Sequence, residues 1–177
     1  LVRDHPDLHV RSRRERQMCI RDRSFTGALN LKGGNRKDIF VFGAGGSISG
    51  SIDGTTDGDK LNELHGANAG GVWTVNTIAS GYIDGTVTPQ GEVQTTFLNI
   101  KRVVGRSSNN DRIVQATGTN DWQVLGDNQG TLNGIPFEGM TDWIGGSGTD
   151  TFTFAGNYQV SGTTGLDGQT TSAKIIG

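Results

Sequence analysis

The chain has 177 residues, 29 of them glycine, with only 32% apolar and 7% aromatic side chains. That is too little hydrophobe for a thick core and enough for a thin one fed by many short strands. No run of about 18 apolar residues is present to cross a bilayer as a helix, and the net charge of −2 gives no overall basic surface for nucleic acid.

The charge is uneven along the chain. Residues 1–23, LVRDHPDLHVRSRRERQMCIRDR, hold seven Arg against three Asp and one Glu, a net of +3, which leaves −5 on residues 24–177. Cys19, His5 and His9 also fall in this stretch, so the acidic body has no disulfide framework and no thiolate or imidazole metal cluster. The run RQMCIRDR resembles translated sequencing-adaptor read-through. A basic arm for nucleic acid or an acidic surface, and a solvated tail, are the alternatives. On each reading residues 1–23 are a non-native or disordered basic segment set apart from one repetitive body over 24–177. The segment has no apolar stretch of the kind a signal peptide needs. Opening on Leu1 and not on Met, the chain reads as a piece of a longer protein.

In chain order, short strands are expected at 39–42, 47–52, 72–75, 82–88, 92–100, 112–116, 122–125, 151–154 and 158–161, many with two-residue alternation. Only DKLNEL, 59–64, has a pattern fit for a turn or two of helix. Shifted by 112 residues, FTGALNLKGGNRKDIFVF (25–42) falls on FEGMTDWIGGSGTDTFTF (137–154) without a gap, and seven of eighteen positions are identical. A third copy, FLNIKRVVGRSSNNDRIV (97–114), keeps Phe97, Gly105 and Asp111 with one inserted residue. An aliphatic-Asx-Gly motif alternates with these copies at Ile52-Asp53-Gly54, Ile83-Asp84-Gly85, Leu132-Asn133-Gly134 and Leu166-Asp167-Gly168. Asx-Gly pairs reach positive φ at low cost, so each is expected to be a turn.

Two all-β architectures satisfy this pattern. In a parallel β-helix or solenoid of short rungs, like residues stack on like: Phe25, Phe97 and Phe137 share a column, and the turns stack outside it. In an antiparallel β-sandwich of repeats, the Asp-Gly pairs are hairpin turns, with GYIDGTVT flanking one. Repeated motifs, low hydrophobe content and length variation confined to turns favour the solenoid.

GGSGTDTFT (145–153) matches the nonapeptide G-G-x-G-x-D-x-U-x at every fixed position, with Phe152 as the apolar residue. Gly145, Gly146, Gly148 and Asp150 are therefore candidate calcium residues: calcium wants six to eight oxygens, glycines let carbonyls turn inward, and the aspartate supplies charge. A single copy cannot close such a cage, and the upstream GGNRKDIFV sets Arg36 and Lys37 beside the would-be ion. A glycine turn closed by an Asx cap is the bland reading. DGTTDGDKLNE (53–63) fails as an EF-hand at Leu61 and Asn62, and IFVFGAGGSISG (39–50) fails as a dinucleotide loop because Ile48 stands at the third glycine. Asp111 beside Arg112, near Lys101, Arg102 and Arg106, is a thin version of a polysaccharide-lyase site; a salt-bridged surface is the alternative. His65, the body's one histidine, sits in a polar turn.

On GGSGTDTFTF (145–154), GGNRKDIFVFGAGGSISGSIDG (33–54) and DWQVLGDNQGTLNGIPFEG (121–139), the chain resembles large repetitive bacterial surface and secreted proteins, the filamentous-haemagglutinin-like adhesins and haemolysin-type calcium-binding repeat proteins. That resemblance implies a β-solenoid stalk, secreted or on the cell surface, without catalysis, with neighbouring repeats of the same chain and a cell-surface or glycan ligand as partners. It departs from the calcium-binding family in lacking tandem nonapeptides. A calcium-binding module and a β-helical polysaccharide-active enzyme are the competing functions.

Overall fold

Buried and half-exposed side chains alternate along IFVF (39–42), RIVQ (112–115) and YIDGTVTP (82–89), the period of a strand with one face in a core. The computed structural model describes residues 17–20, 30–43, 46–56, 61–66, 70–79, 81–106, 110–169 and 174–176. Among these the protein is all-β. Its strands are β1 Gln17–Ile20, β2 Leu31–Lys32, β3 Ile39–Phe42, β4 Ser51–Asp53, β5 Glu63–His65, β6 Gly71–Ala79, β7 Tyr82–Pro89, β8 Thr95–Ile100, β9 Arg102–Val104, β10 Arg112–Gln115, β11 Asn120–Gly126, β12 Gln129–Leu132, β13 Ile135–Glu138, β14 Asp142–Ile144, β15 Asp150–Phe154, β16 Leu166–Asp167 and β17 Lys174–Ile176. β1 lies inside the basic N-terminal segment and pairs with β3.

The strands form two mixed sheets. One runs β1-β3-β5-β9-β13-β12-β11-β15-β17 and the other β16-β14-β10-β6-β7-β8-β4-β2. The chain steps between them, strand by strand, and pairs in parallel except within two antiparallel meanders, β6-β7-β8 and β11-β12-β13. An antiparallel sandwich is therefore the wrong description of the pairing as a whole: a strand that returns from the other sheet arrives in the same direction as its neighbour.

The two meanders are copies of one another placed in opposite sheets. In the first, Trp73 faces Val87, while Val75 and Phe97 flank Gly85. In the second, Trp122 faces Leu132, while Val124 and Phe137 flank Gly130. The central glycine makes room. A Cβ at Gly85 would lie 2.8 Å from the Phe97 ring, and one at Gly130 would lie 2.6 Å from the Trp143 ring. All ten positions except the glycines belong to one buried apolar cluster drawn from both sheets. Trp122 stacks on Phe152 at 5.6 Å, and Phe137 meets Trp143 edge-on at 4.6 Å. Such pairs add about 0.5–1.5 kcal/mol each beyond the area they bury. Phe97 and Phe137 thus hold equivalent places in one core; Phe25 lies outside the described residues.

Several local expectations are corrected. Residues 61–66 hold the extended β5 where a helical turn was expected: Leu64, fully buried, bridges β3 and β9, and that burial outweighs a weak helical preference. Residues 57–60 of that segment lie outside the described ones. The strand expected at 47–52 shrinks to β4, and 158–161 is irregular. Ile83-Asp84-Gly85 is mid-strand in β7, where its glycine is needed for packing, so the turn expected there does not form. Leu132-Asn133-Gly134 is a two-residue hairpin turn, with φ of 47° at Asn133 and 83° at Gly134, the pair of positive values that Asn-Gly hairpins adopt.

Candidate functional site

The glycine-Asx copies found by the 112-residue shift are turns that carry the chain from one sheet to the other. They join β2 to β3, β9 to β10 and β14 to β15. In each, the glycine lies against the acid that follows it. A Cβ at Gly33 would sit 2.7 Å from Asp38 Oδ2, one at Gly105 would sit 2.8 Å from Asp111 Cβ, and one at Gly145 would overlap the Asp150 carboxylate. In the first two the carboxylate folds back to cap the turn. Gly34 N–H donates to Asp38 Oδ2 at 2.7 Å, and Arg106 N–H donates to Asp111 Oδ2 at 2.5 Å.

Two of these acids are also anchored in the core. Trp73 Nε1–H donates to Asp111 Oδ1 at 3.0 Å, and Trp122 Nε1–H donates to Asp150 Oδ1 at 3.0 Å. The register is the same in both cases. Each Asp lies two residues before the residue paired with the tryptophan, Ile113 opposite Trp73 and Phe152 opposite Trp122. Burial pushes the Asp111 carboxyl above its ordinary range, against the pull of Trp73 and the Arg106 amide. Asn120 Nδ2 donates a second bond to Asp150 Oδ1, at 2.7 Å. Sequence reading singled out Asp150 and Asp111 and missed Trp73, Trp122 and Asn120 as their partners; the shared spelling Trp-x-Val ahead of Gly-Thr-Val or Gly-Thr-Leu was the available signal.

Gly145, Gly146, Gly148 and Asp150 come together in the β14–β15 turn. Gly146 backs onto the Gln115 carbonyl and Gly148 onto the Gly118 carbonyl, so this turn lies against the 116–119 turn that follows β10. Asp150 Oδ2 is buried with no hydrogen-bond partner, and so is Oε1 of Gln115, the residue at the end of β10. Gln115 carries no signal in the sequence. Among the described residues no group of three or more His, Cys, Asp and Glu side chains gathers, so an ion here would depend on amide and carbonyl oxygens.

Of the basic residues near Asp111, Arg106 stays beside it, through its amide and its charge, while Arg112, Lys101 and Arg102 disperse. Asp111 is 1% exposed and faces inward; Arg112 is half-buried and lies 4.0 Å from Asp142. Lys101 sits over the Tyr82 ring, 4.6 Å from its centroid. Arg102 bridges Glu63 and Glu138, at 3.4 and 2.6 Å. Glu63 also meets Lys37 and His65 Nε2, both at 2.8 Å. Burial raises the Glu63 carboxyl, yet Lys37, His65 and Arg102 together outweigh it and hold the group below its ordinary range. Elsewhere, two strand irregularities in β6-β7-β8 accompany a cleft of about 320 Å³ lined by Thr56, Ala79, Tyr82, Asp84 and Asn99. Asp84 Oδ1 accepts from the Asn99 amide at 2.7 Å, and Tyr82 donates its hydroxyl proton to the Thr56 carbonyl at 3.0 Å.

No protein-family model, curated protein or solved structure matches the chain.

Proposed function

We propose that the chain is a repetitive β-solenoid segment of an exported, adhesin-like protein that binds a glycan or cell-surface ligand without catalysis. The observation that carries this reading is the Trp–Asp register, repeated in opposite sheets with the same meander around it. A fold that repeats its core contacts at each pass supplies an extended surface. The Tyr82 cleft is the ligand-facing part of that surface: an aromatic ring, a carboxylate and an amide converge there, groups suited to stacking on a sugar and bonding its hydroxyls. The inward Asp111 and the outward, paired Arg112 supply no acid–base couple for an enzyme. The test is retention on a glycan array, run beside incubation with uronate polysaccharides. Retention without shortening of the polysaccharide is expected, with Tyr82→Ala retained about tenfold less. Polysaccharide cleavage abolished by Asp111→Asn or Arg112→Ala would overturn the reading.

A second reading, a calcium-binding module, is favoured by the two partnerless oxygens. Asp150 Oδ2 lies against Gly145 and the Gln115 backbone carbonyl against Gly146, and the Gln115 side-chain oxygen is the second partnerless one; calcium takes carboxylate, amide and carbonyl oxygens together. Asp150, Gln115 and the turn carbonyls would hold the ion and lock turns 116–119 and 145–149 together. Calorimetric titration with calcium chloride decides it. Heat of binding and a raised melting temperature, both lost in Asp150→Asn, support the module; neither effect up to millimolar calcium rejects it.

A further inference from the structure

The β12–β13 hairpin turns on the chain's one Asn-Gly pair, Asn133-Gly134. Both residues are exposed, with φ of 47° and 83°. Both polar atoms of the Asn133 side chain are engaged. Its Oδ1 accepts from the Asp121 N–H at 2.7 Å, and its Nδ2 donates to Asn120 Oδ1 at 3.3 Å. Asn120 has its own nitrogen committed inward: Nδ2 donates to the Gly118 carbonyl at 3.1 Å and to Asp150 Oδ1 at 2.7 Å. Those two partners only accept, so the Asn120 amide cannot turn over without losing both, and its oxygen is fixed toward Asn133. A line of amides therefore runs from the hairpin surface to the buried acid that Trp122 also holds.

An asparagine followed by glycine is the pair in which the next backbone nitrogen reaches the side-chain carbonyl most readily, because glycine has no side chain to crowd the approach. A Cβ at Gly134 would meet nothing within 4 Å, so the turn is open to hydroxide and water. The Asp121 N–H, held by strand β11, already sits at hydrogen-bond distance from the oxygen that becomes negative when the nitrogen attacks. We infer that Asn133 is a self-modifying residue, deamidated in the folded chain by its own Gly134. The Gly134 nitrogen gives up its proton and bonds to Asn133 Cγ; the Cγ–Nδ2 bond breaks, and Nδ2 leaves with that proton as ammonia. Water then opens the cyclic imide, at one carbonyl to aspartate and at the other to isoaspartate. No oxidant or reductant takes part.

The change reaches inward. A carboxylate at position 133 keeps the oxygen that faces Asp121 and sets a second oxygen where Nδ2 was, against Asn120 Oδ1. Two acceptors then face one another, and Asn120 relieves this only by releasing Asp150 and Gly118. Isoaspartate also lengthens the backbone inside a two-residue turn whose flanks, Leu132 and Ile135, are paired. The first meander has no such line: Gly71 stands where Asn120 does, two residues before the tryptophan. The inference rests on this hairpin and depends on neither the adhesin nor the calcium reading.

Mass spectrometry of the full chain aged in mildly alkaline buffer, whole and as peptides, tests it. The expected result is a gain of one dalton located at Asn133, with aspartate and isoaspartate both formed and the rate rising with pH. The rate should be no more than about tenfold below that of the same chain unfolded in urea, because the Asp121 donor offsets what the turn withholds. Gly134→Ala should stop the conversion while the chain stays folded. Conversion slower than this, or earlier at another asparagine, would overturn the modification. Asn133→Asp reads its reach: the indole N–H resonance of Trp122 should shift while that of Trp73 stays. An unmoved Trp122 resonance would overturn the link to the core.

Discussion

Trp122 donates its indole N–H to Asp150 at 3.0 Å, across two neighbouring parallel strands and inside the core. The acid belongs to a turn and the indole to a meander, so this one bond ties the crossover between sheets to the packing within a sheet. Trp73 and Asp111 repeat it on the other sheet.

Trp122→Phe keeps most of the ring and removes the donor. It leaves Asp150 Oδ1 with the Asn120 amide, and the expected loss is about 2–3 kcal/mol in urea unfolding. In a double-mutant cycle with Asp150→Ala the two losses should fall short of additivity by at least about 1 kcal/mol. Additive losses would mean that the bond carries none of the stability.

The central glycines of the meanders should be intolerant, and Gly34, on an open turn, should not. Gly85→Ala and Gly130→Ala drive a methyl into a carbonyl and an aromatic ring, with an expected cost of about 2–3 kcal/mol or more each. Gly34→Ala meets nothing within 4 Å and should stay within about 0.5 kcal/mol. Thermal melts of the three variants check the contrast, and a Gly130→Ala protein as stable as the parent would contradict the packing described.

At the β12–β13 hairpin, Gly134→Ala forces a methyl-bearing residue to hold a φ of 83°, and about 1 kcal/mol should be lost. Asn133→Ala should lose more. Its side-chain oxygen accepts from the Asp121 amide at 2.7 Å, a bond that alanine forfeits along with the turn preference. Equal losses would show that the turn conformation alone matters.

Glu63 and Asp111 should give stability opposite dependences on pH. The Glu63 carboxyl is held below its ordinary 4.5 in the folded chain. Its contribution is therefore present above 4.5 and is lost as pH falls through the lower folded value. Asp111 is raised above its ordinary 3.8, so the folded chain binds the proton more tightly than the unfolded one does. Stability from that group declines as pH rises from 3.8 through the folded value. Denaturant unfolding across this range should show the advantage of the parent over Glu63→Gln shrinking on acidification. Its balance against Asp111→Asn should shift in the parent's favour over the same acidification.

The repeats were legible because their signals are local. Gly33, Gly105 and Gly145 precede an acid that lies against the bare Cα, and that requirement writes itself into the sequence at an offset of five or six residues. Asn133-Gly134 was legible for the same reason: its two positive φ values are set by the two residues themselves. Ile83-Asp84-Gly85 shares the spelling and lies in a strand, because the use of Gly85 is decided by Phe97 and Thr74 on either side of it. Residues 59–64 looked helical, yet Glu63 and Leu64 fall in β5, because Leu64 finds its partners on β3 and β9, 24 and 39 residues away in the chain.

What the sequence by itself determined is the all-β character, the recurring glycine-acid turns and the acids worth watching, since backbone freedom and side-chain alternation are properties of a few neighbouring residues. Only the tertiary structure decided which sheet each copy enters, that Trp73 and Trp122 hold Asp111 and Asp150, and that Gln115 lies beside the calcium-like turn. Those contacts join residues about 30 to 40 positions apart. They exist because two sheets had to close over one thin core, and no short stretch of chain carries that constraint.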